Sequence, residues 1–170
     1  MSTMLSQPII SLSEAQAFVR VETGEEEAVL AGLIRTSSAI CETFLNRIVI
    51  ARSFQERLTG TGCWQALAST PVRSIDSIVA RDGEPALPIS EYRVDVDGGG
   101  TGWLLLPVTV QATVTGMAGM AADQNGVPEP IRQGVIRLVS HLYTVRDSLS
   151  DDPPASVTAL WRPYRRLVLA

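Results

Sequence analysis

The chain has 170 residues, of which 45% are hydrophobic and 19% charged, with a formal net charge of −4. That balance belongs to a folded globule rather than a disordered chain, and the acidic excess argues against a general nucleic-acid binder, which carries a basic footprint. All 14 basic residues are arginine, so a Walker A loop and any Schiff-base or pyridoxal chemistry, which require lysine, are excluded.

A chain of this length reads as one domain, 1–170, with room for a sizeable insertion. It can bury about 70% of its unfolded surface and needs no covalent staples. Cys41 and Cys63 have no metal-like spacing and read as free thiols of a reducing compartment. The opening residues lack a basic flank and a long apolar run, so no secretory signal is expected and the chain reads as cytoplasmic. Leu104 to Ala122 carries no charge, but Pro107 interrupts it and threonines alternate with valines, which is the period of a strand rather than of a membrane helix.

In chain order, Ser11 and Glu14 form an S-x-x-E capping box and predict a short helix over 12–19. Thr23 and Glu26 repeat the box. Glu25, Glu26 and Glu27 then fall in a first turn, where the helix dipole favours acids. Leu30, Leu33, Ser37, Ile40, Cys41 and Phe44 recur at helical spacing, which predicts a second helix over about 24–45.

From about residue 48 to 116 the period changes to two. "IVIARSFQERL", "CWQALASTPVRSIDSIVARDGEPALP", "EYRVDVDGGGTGWLLLP", whose alternation breaks at three glycines and resumes at Trp103, and "VTVQATVTG" read as short strands separated by turns, one of them at Asp82-Gly83, and together as a small antiparallel sheet in Greek-key or meander order. Helix returns near residue 128, with Ile131, Val135, Leu138, Val139, Leu142 and Tyr143 on one face. "SDDPPAS" breaks it, with Asp152 as N-cap and Pro153 as first residue of a last helix that ends near Trp161, before Pro163. Helices about 11–46 and 128–162 thus enclose a β-insertion, which is an α+β fold: a helical bundle from both chain ends with an inserted antiparallel sheet.

Chemistry-bearing motifs are scarce. "DGGGTGW" follows a strand but precedes another strand, so it reads as a hairpin turn rather than a dinucleotide loop. His141, the one histidine, sits beside an apolar helix face without a nucleophile motif. Asp95 and Asp97 share a strand face next to a glycine turn. No catalytic residue, metal site or cofactor is expected. The tail "LWRPYRRLVLA" is different: Trp, Tyr and Arg dominate interface hot spots. It reads either as a terminal helix folded on its own core or as an anchor for another protein.

Taken together, "ISLSEAQAFVRV" (10–21), "AICETFLNR" (39–47), "PVRSIDSIVARDG" (71–83), "EYRVDVDG" (91–98), "VTVQATVTGMAG" (108–119), "VPEPIRQGVIRLVSHLY" (127–143) and "VTALWRPYRR" (157–166) resemble, in order and spacing, the head–tail connector (adaptor) proteins of tailed bacteriophages in their β-insertion branch, which are also found in gene transfer agents. The sequence departs from that pattern in a shortened acidic link after the first helix and in Trp161 and Arg162, where smaller apolar residues are usual. The resemblance implies a structural protein, not an enzyme. Such proteins form a ring, typically of twelve copies, beneath the portal; the ring joins the DNA-filled head to the tail or a stopper protein, with DNA passing through its channel as non-specific cargo and no membrane involved. On this reading the segment from about Trp161 to Ala170, freed by Pro163, does not fold onto its own domain and docks on the portal through Trp161, Arg162, Tyr164, Arg165, Arg166, Leu167 and Leu169, while Glu25, Glu26 and Glu27 are candidates to face the channel. The alternative is a small binding module whose sheet aromatics, Trp64, Tyr92 and Trp103, hold a peptide or small ligand.

Overall fold

The computed structural model describes residues 7–21, 24, 26–80, 86–145 and 152–167, which form two compact units with boundaries at 50/51 and 120/121. The first unit is β-rich and comprises residues 51–120; the second is helical and is assembled from both ends of the chain. The architecture is α+β, with the helices at the ends and the strands between them.

In the helical unit, α1 spans Leu12–Val19. Its capping box is closed in both directions: the Ser11 hydroxyl accepts from the Glu14 amide at 3.2 Å, and the Glu14 carboxylate accepts from the Ser11 amide at 2.9 Å. Two donors that a helix start leaves unpaired are thereby satisfied. Helix α2 spans Glu27–Leu45, with Glu26 as N-cap in the left-handed region (φ 51°) and without a side-chain cap. The expected second capping box involves Thr23, which lies outside the described residues. By length and composition α2 is apolar enough to cross a membrane, yet it supplies Leu30, Ile34, Cys41 and Leu45 to the core of its unit.

The apolar stripe of α2 differs from the expected one. Leu30, Ser37 and Cys41 are buried as anticipated, but Ile34, Ser38 and Leu45 complete the stripe, and Leu33, Ile40 and Phe44 are only half-buried. Buried Ser38 is stabilised by a partner 29 residues away: its hydroxyl accepts from the Ile9 amide at 3.1 Å.

Helix α3 spans Glu129–Thr144 and buries Ile131, Gly134, Val135, Leu138 and Val139; Leu142 and Tyr143, expected on the same face, are half-buried. Helix α4 spans Ala155–Trp161. Its N-cap is Pro154 rather than Asp152, so it starts two residues later than the proline pattern suggests. A 3-10 turn over Arg162–Tyr164 continues it, with Pro163 accommodated early in that turn.

The β-unit holds two three-stranded antiparallel sheets where a single sheet is expected. Strands β1 (Arg52–Thr59), β6 (Gln111–Ala118) and β3 (Val72–Val79) form one, in the order β1-β6-β3. Strands β2 (Trp64–Ala66), β5 (Gly102–Leu105) and β4 (Arg93–Val96) form the other, in the order β2-β5-β4. The course from β1 to β2 runs antiparallel beside that from β5 to β6, so neither sheet is a simple meander. Central β6 is buried along most of its length, including Thr113. Gly116 is required there: a Cβ would lie 2.1 Å from the Ser74 carbonyl oxygen of β3. Val108 and Thr109, read as the start of this strand, instead form the turn that precedes it.

Candidate functional site

The C-terminal segment is where the structure departs most from expectation. Val157 and Trp161 lie four residues apart on α4 and are both buried, as a single inward helix face requires. The Trp161 side chain is fully buried, and its indole Nε1 donates to the Ile131 carbonyl of α3 at 3.2 Å. The ring occupies the space left by Gly134: a Cβ on that residue would lie 2.1 Å from Nε1. Phe44 of α2 meets the indole at 5.8 Å between ring centroids, tilted by 50°, a favourable aromatic geometry.

The chain stays on the helical unit for several more residues. The Arg165 guanidinium lies 5.1 Å from the centroid of Phe44, within cation–π range. The Arg166 amide donates to the Leu45 carbonyl at 2.9 Å, which satisfies an acceptor that the end of α2 leaves open. The expectation that the segment leaves its own domain at Trp161 is therefore corrected: Trp161 to Arg166 are held on the unit's own helices. Trp161 in particular is a core residue with no surface to offer.

The other named tail residues differ in exposure. Arg162, Arg165 and Leu167 are exposed, Leu167 at 77%, while Tyr164 and Arg166 are half-buried. Leu169 lies outside the described residues. Among the described residues no carboxylate pairs with Arg162, Arg165 or Arg166, so three cations cluster on an otherwise acidic chain.

The acidic triplet has local partners. The Glu26 carboxylate accepts from the Tyr143 hydroxyl, and that of Glu27 accepts from the Gly24 amide at 3.1 Å and from the Gln16 side chain at 3.5 Å. Glu26 is exposed and Glu27 half-buried; Glu25 lies outside the described residues. Nearby, Glu14 is acted on in opposite directions. Its partial burial raises its pKa, but hydrogen bonds from the Ser11 amide and hydroxyl, together with Arg132, outweigh this and hold it below the usual value.

In the β-unit, Trp64 and Trp103 point to the same face of the β2-β5-β4 sheet, because Trp103 sits opposite Ala66 in the register. Trp103 Nε1 donates to Asp97 Oδ2 at 3.0 Å, and Asp97 Oδ1 accepts from the Gly99 and Thr101 amides at 2.8 and 2.9 Å. These bonds, that of Trp103 foremost, lower the Asp97 pKa to about 2. "DGGGTGW" is thus a hairpin turn tied by its own aspartate. A cavity of about 360 Å³ in this unit is lined by Arg57, Leu58, Thr59, Ala80, Gln111, Ala112 and Thr113, and by none of the three sheet aromatics.

His141 is half-buried near the end of α3, where its backbone carbonyl accepts from the Val145 amide. Burial, reinforced by Glu42, pushes the Cys41 thiol well above its ordinary pKa, which keeps it protonated and unreactive. Cys63 is exposed. Among the described residues no three His, Cys, Asp or Glu side chains gather as a metal site would need.

No protein-family model matches the sequence, and no curated protein is significantly similar to it. Solved structures do match, over almost the whole chain. A chain from the neck of an empty gene transfer agent particle, computed with C6 symmetry, superposes with a TM-score of 0.79 at 22% identity, covering 99% of this chain and 95% of that one. A chain from the virion of a native gene transfer agent particle gives 0.77 at 22% identity, with the same coverage. A chain from the neck of a native particle, computed with C12 symmetry, gives 0.69 at 21% identity over 98% of each. The helices at both ends and the β-unit between them are thus together the fold of chains from the neck and virion of gene transfer agent particles.

Proposed function

We propose that this protein is a structural head–tail connector in the neck of a phage-like particle. It forms a ring with copies of itself beneath the portal, joins the filled head to the next tail or stopper protein, and leaves a central channel for DNA. The observation that carries this reading is the end-to-end likeness to neck chains, helices and insertion alike. Neck assemblies with sixfold and twelvefold symmetry favour a cyclic ring, in which each copy uses one surface to meet the next.

The tail supports a portal contact in a form different from a free arm. Trp161 acts as the internal anchor, and the short turn beyond it presents Arg162, Tyr164, Arg165 and Leu167 at the surface. Arginine forks suit carboxylates on a partner, and repetition around a ring multiplies a modest contact. Arg166 assists through its side chain while its amide holds the Leu45 carbonyl. Glu26 and Glu27, with Glu25, face the channel in this account, where acids avoid tight contact with passing phosphates.

The test is binding to the portal protein of the particle in which this protein is proposed to sit. Arg162→Glu with Arg165→Glu should leave the circular dichroism spectrum unchanged and reduce portal binding at least tenfold. Unchanged binding would remove the tail from the interface, and absence of portal binding by the unaltered protein would remove the function.

A further inference from the structure

Among the described residues, strand β4 is an edge of its sheet. It pairs with β5 on one side, and Arg93, Val94, Asp95 and Val96 are all exposed. The direction of its backbone groups follows from the ladder. The Asp97 amide donates to the Thr101 carbonyl at 3.0 Å, and the Leu67 amide donates to the Gly102 carbonyl at 2.8 Å. By antiparallel alternation, Arg93 and Asp95 bond to β5, whereas the amides and carbonyls of Val94 and Val96 point away from the sheet. Tyr92 is also extended (φ −144°, ψ 165°), which lengthens the edge. The edge is short and carries two charges, which discourage pairing with an arbitrary strand, but it has no proline and no bulge to block a partner of complementary charge.

We propose that this edge pairs with the same edge of a second copy, antiparallel about a two-fold axis through Val94. Charge selects the occupant and the register. Centred on Val94, the pairing sets Arg93 opposite the second copy's Asp95, and Asp95 opposite its Arg93, on one face of the joined sheet. Val94 meets Val94 on the other face, and the outward amides and carbonyls of Tyr92, Val94 and Val96 find partners. Centred on Asp95 instead, the pairing sets two aspartates opposite one another, which is unfavourable. The product is a six-stranded sheet in the order β2-β5-β4-β4-β5-β2. Its contact is small, so the dimer is weak and reversible. A two-fold contact cannot relate neighbours in one cyclic ring, so this dimer is a state of the free protein that competes with ring formation. The pairing itself does not depend on the neck function.

Sedimentation velocity of the full chain over a concentration series tests it, with circular dichroism confirming that each variant is folded. The unaltered protein should show a concentration-dependent monomer–dimer equilibrium. Arg93→Asp and Asp95→Arg each place like charges in both cross-strand pairs and should weaken self-association about tenfold or more. Mixing the two variants restores both opposite-charge pairs and should restore a dimer, as should the double variant alone. A protein that stays monomeric throughout, or a dimer indifferent to these reversals, would overturn the proposal.

Discussion

Trp161 and Gly134 are the residues that decide how the C-terminal segment is held. The indole fills a slot that exists because residue 134 has no side chain. Trp161→Ala should therefore cost about 3–5 kcal/mol, the range for emptying a large aromatic site, and Gly134→Ala about 1–3 kcal/mol through overpacking. Trp161→Phe keeps an aromatic ring and loses the bond to the Ile131 carbonyl, so it should fall well short of the alanine variant. Urea denaturation followed by circular dichroism measures all three. An alanine variant as stable as the unaltered chain would mean that the indole is not a core group.

Asp97 gives a second prediction at this scale. Its folded-state pKa of about 2 lies below the ordinary 3.8, so the ionised carboxylate favours the closed turn. That contribution is complete above about pH 4 and is lost as the pH falls through about 2. The indole N–H resonance of Trp103, followed during acid titration, should move with a midpoint near 2, and Asp97→Asn should abolish the transition. A midpoint at the ordinary carboxylate value would show that the bonds from Trp103, Thr101 and Gly99 are not maintained in solution.

Among the elements, those coded locally were legible and those fixed by distant contacts were not. Helix α1 matches its expected bounds, because Ser11 and Glu14 lie within one turn of each other and the capping box is complete in sequence. Helix α2 was legible as a helix, but its buried stripe was not. Ser37 and Ser38 interrupt the apolar pattern, and Ser38 finds its donor in Ile9, far away in the chain. The strands were visible by alternation, whereas their division into two sheets depends on the nonlocal pairings of β1 and β3 with β6. Trp161 was misassigned because the residue types of hot spots are also those of cores. The signal that could have placed it was Gly134, a residue without a side chain in the apolar face of an amphipathic helix, which marks a close approach.

The element-scale prediction follows from that correction. Removing residues 161–170 should lower the melting temperature of the helical unit or unfold it, since Trp161 leaves with the segment. Truncation after Arg166 should leave the fold intact, because the indole and the amide bond to Leu45 remain. Differential scanning calorimetry distinguishes the two, and equal stability of both truncations would contradict the anchoring role of Trp161.

For the whole molecule, the proposed function is one of assembly. Among the described residues no three His, Cys, Asp or Glu side chains gather as a metal site would need. The chain does present a cationic turn beyond Trp161 and an exposed β4 edge. Composition and periodicity led to an α+β protein with a sticky tail, and the order of its segments led further, to the connector resemblance. The proposed ring enters only through that resemblance, because it depends on surfaces that meet only between copies. Electron microscopy of this protein co-produced with the portal protein of its particle tests the proposed neck function most directly. The expected result is a ring of twelve copies attached beneath the portal, with an open channel continuous with the portal's own. Portal particles without an added ring, at protein concentrations that saturate any binding, would contradict it.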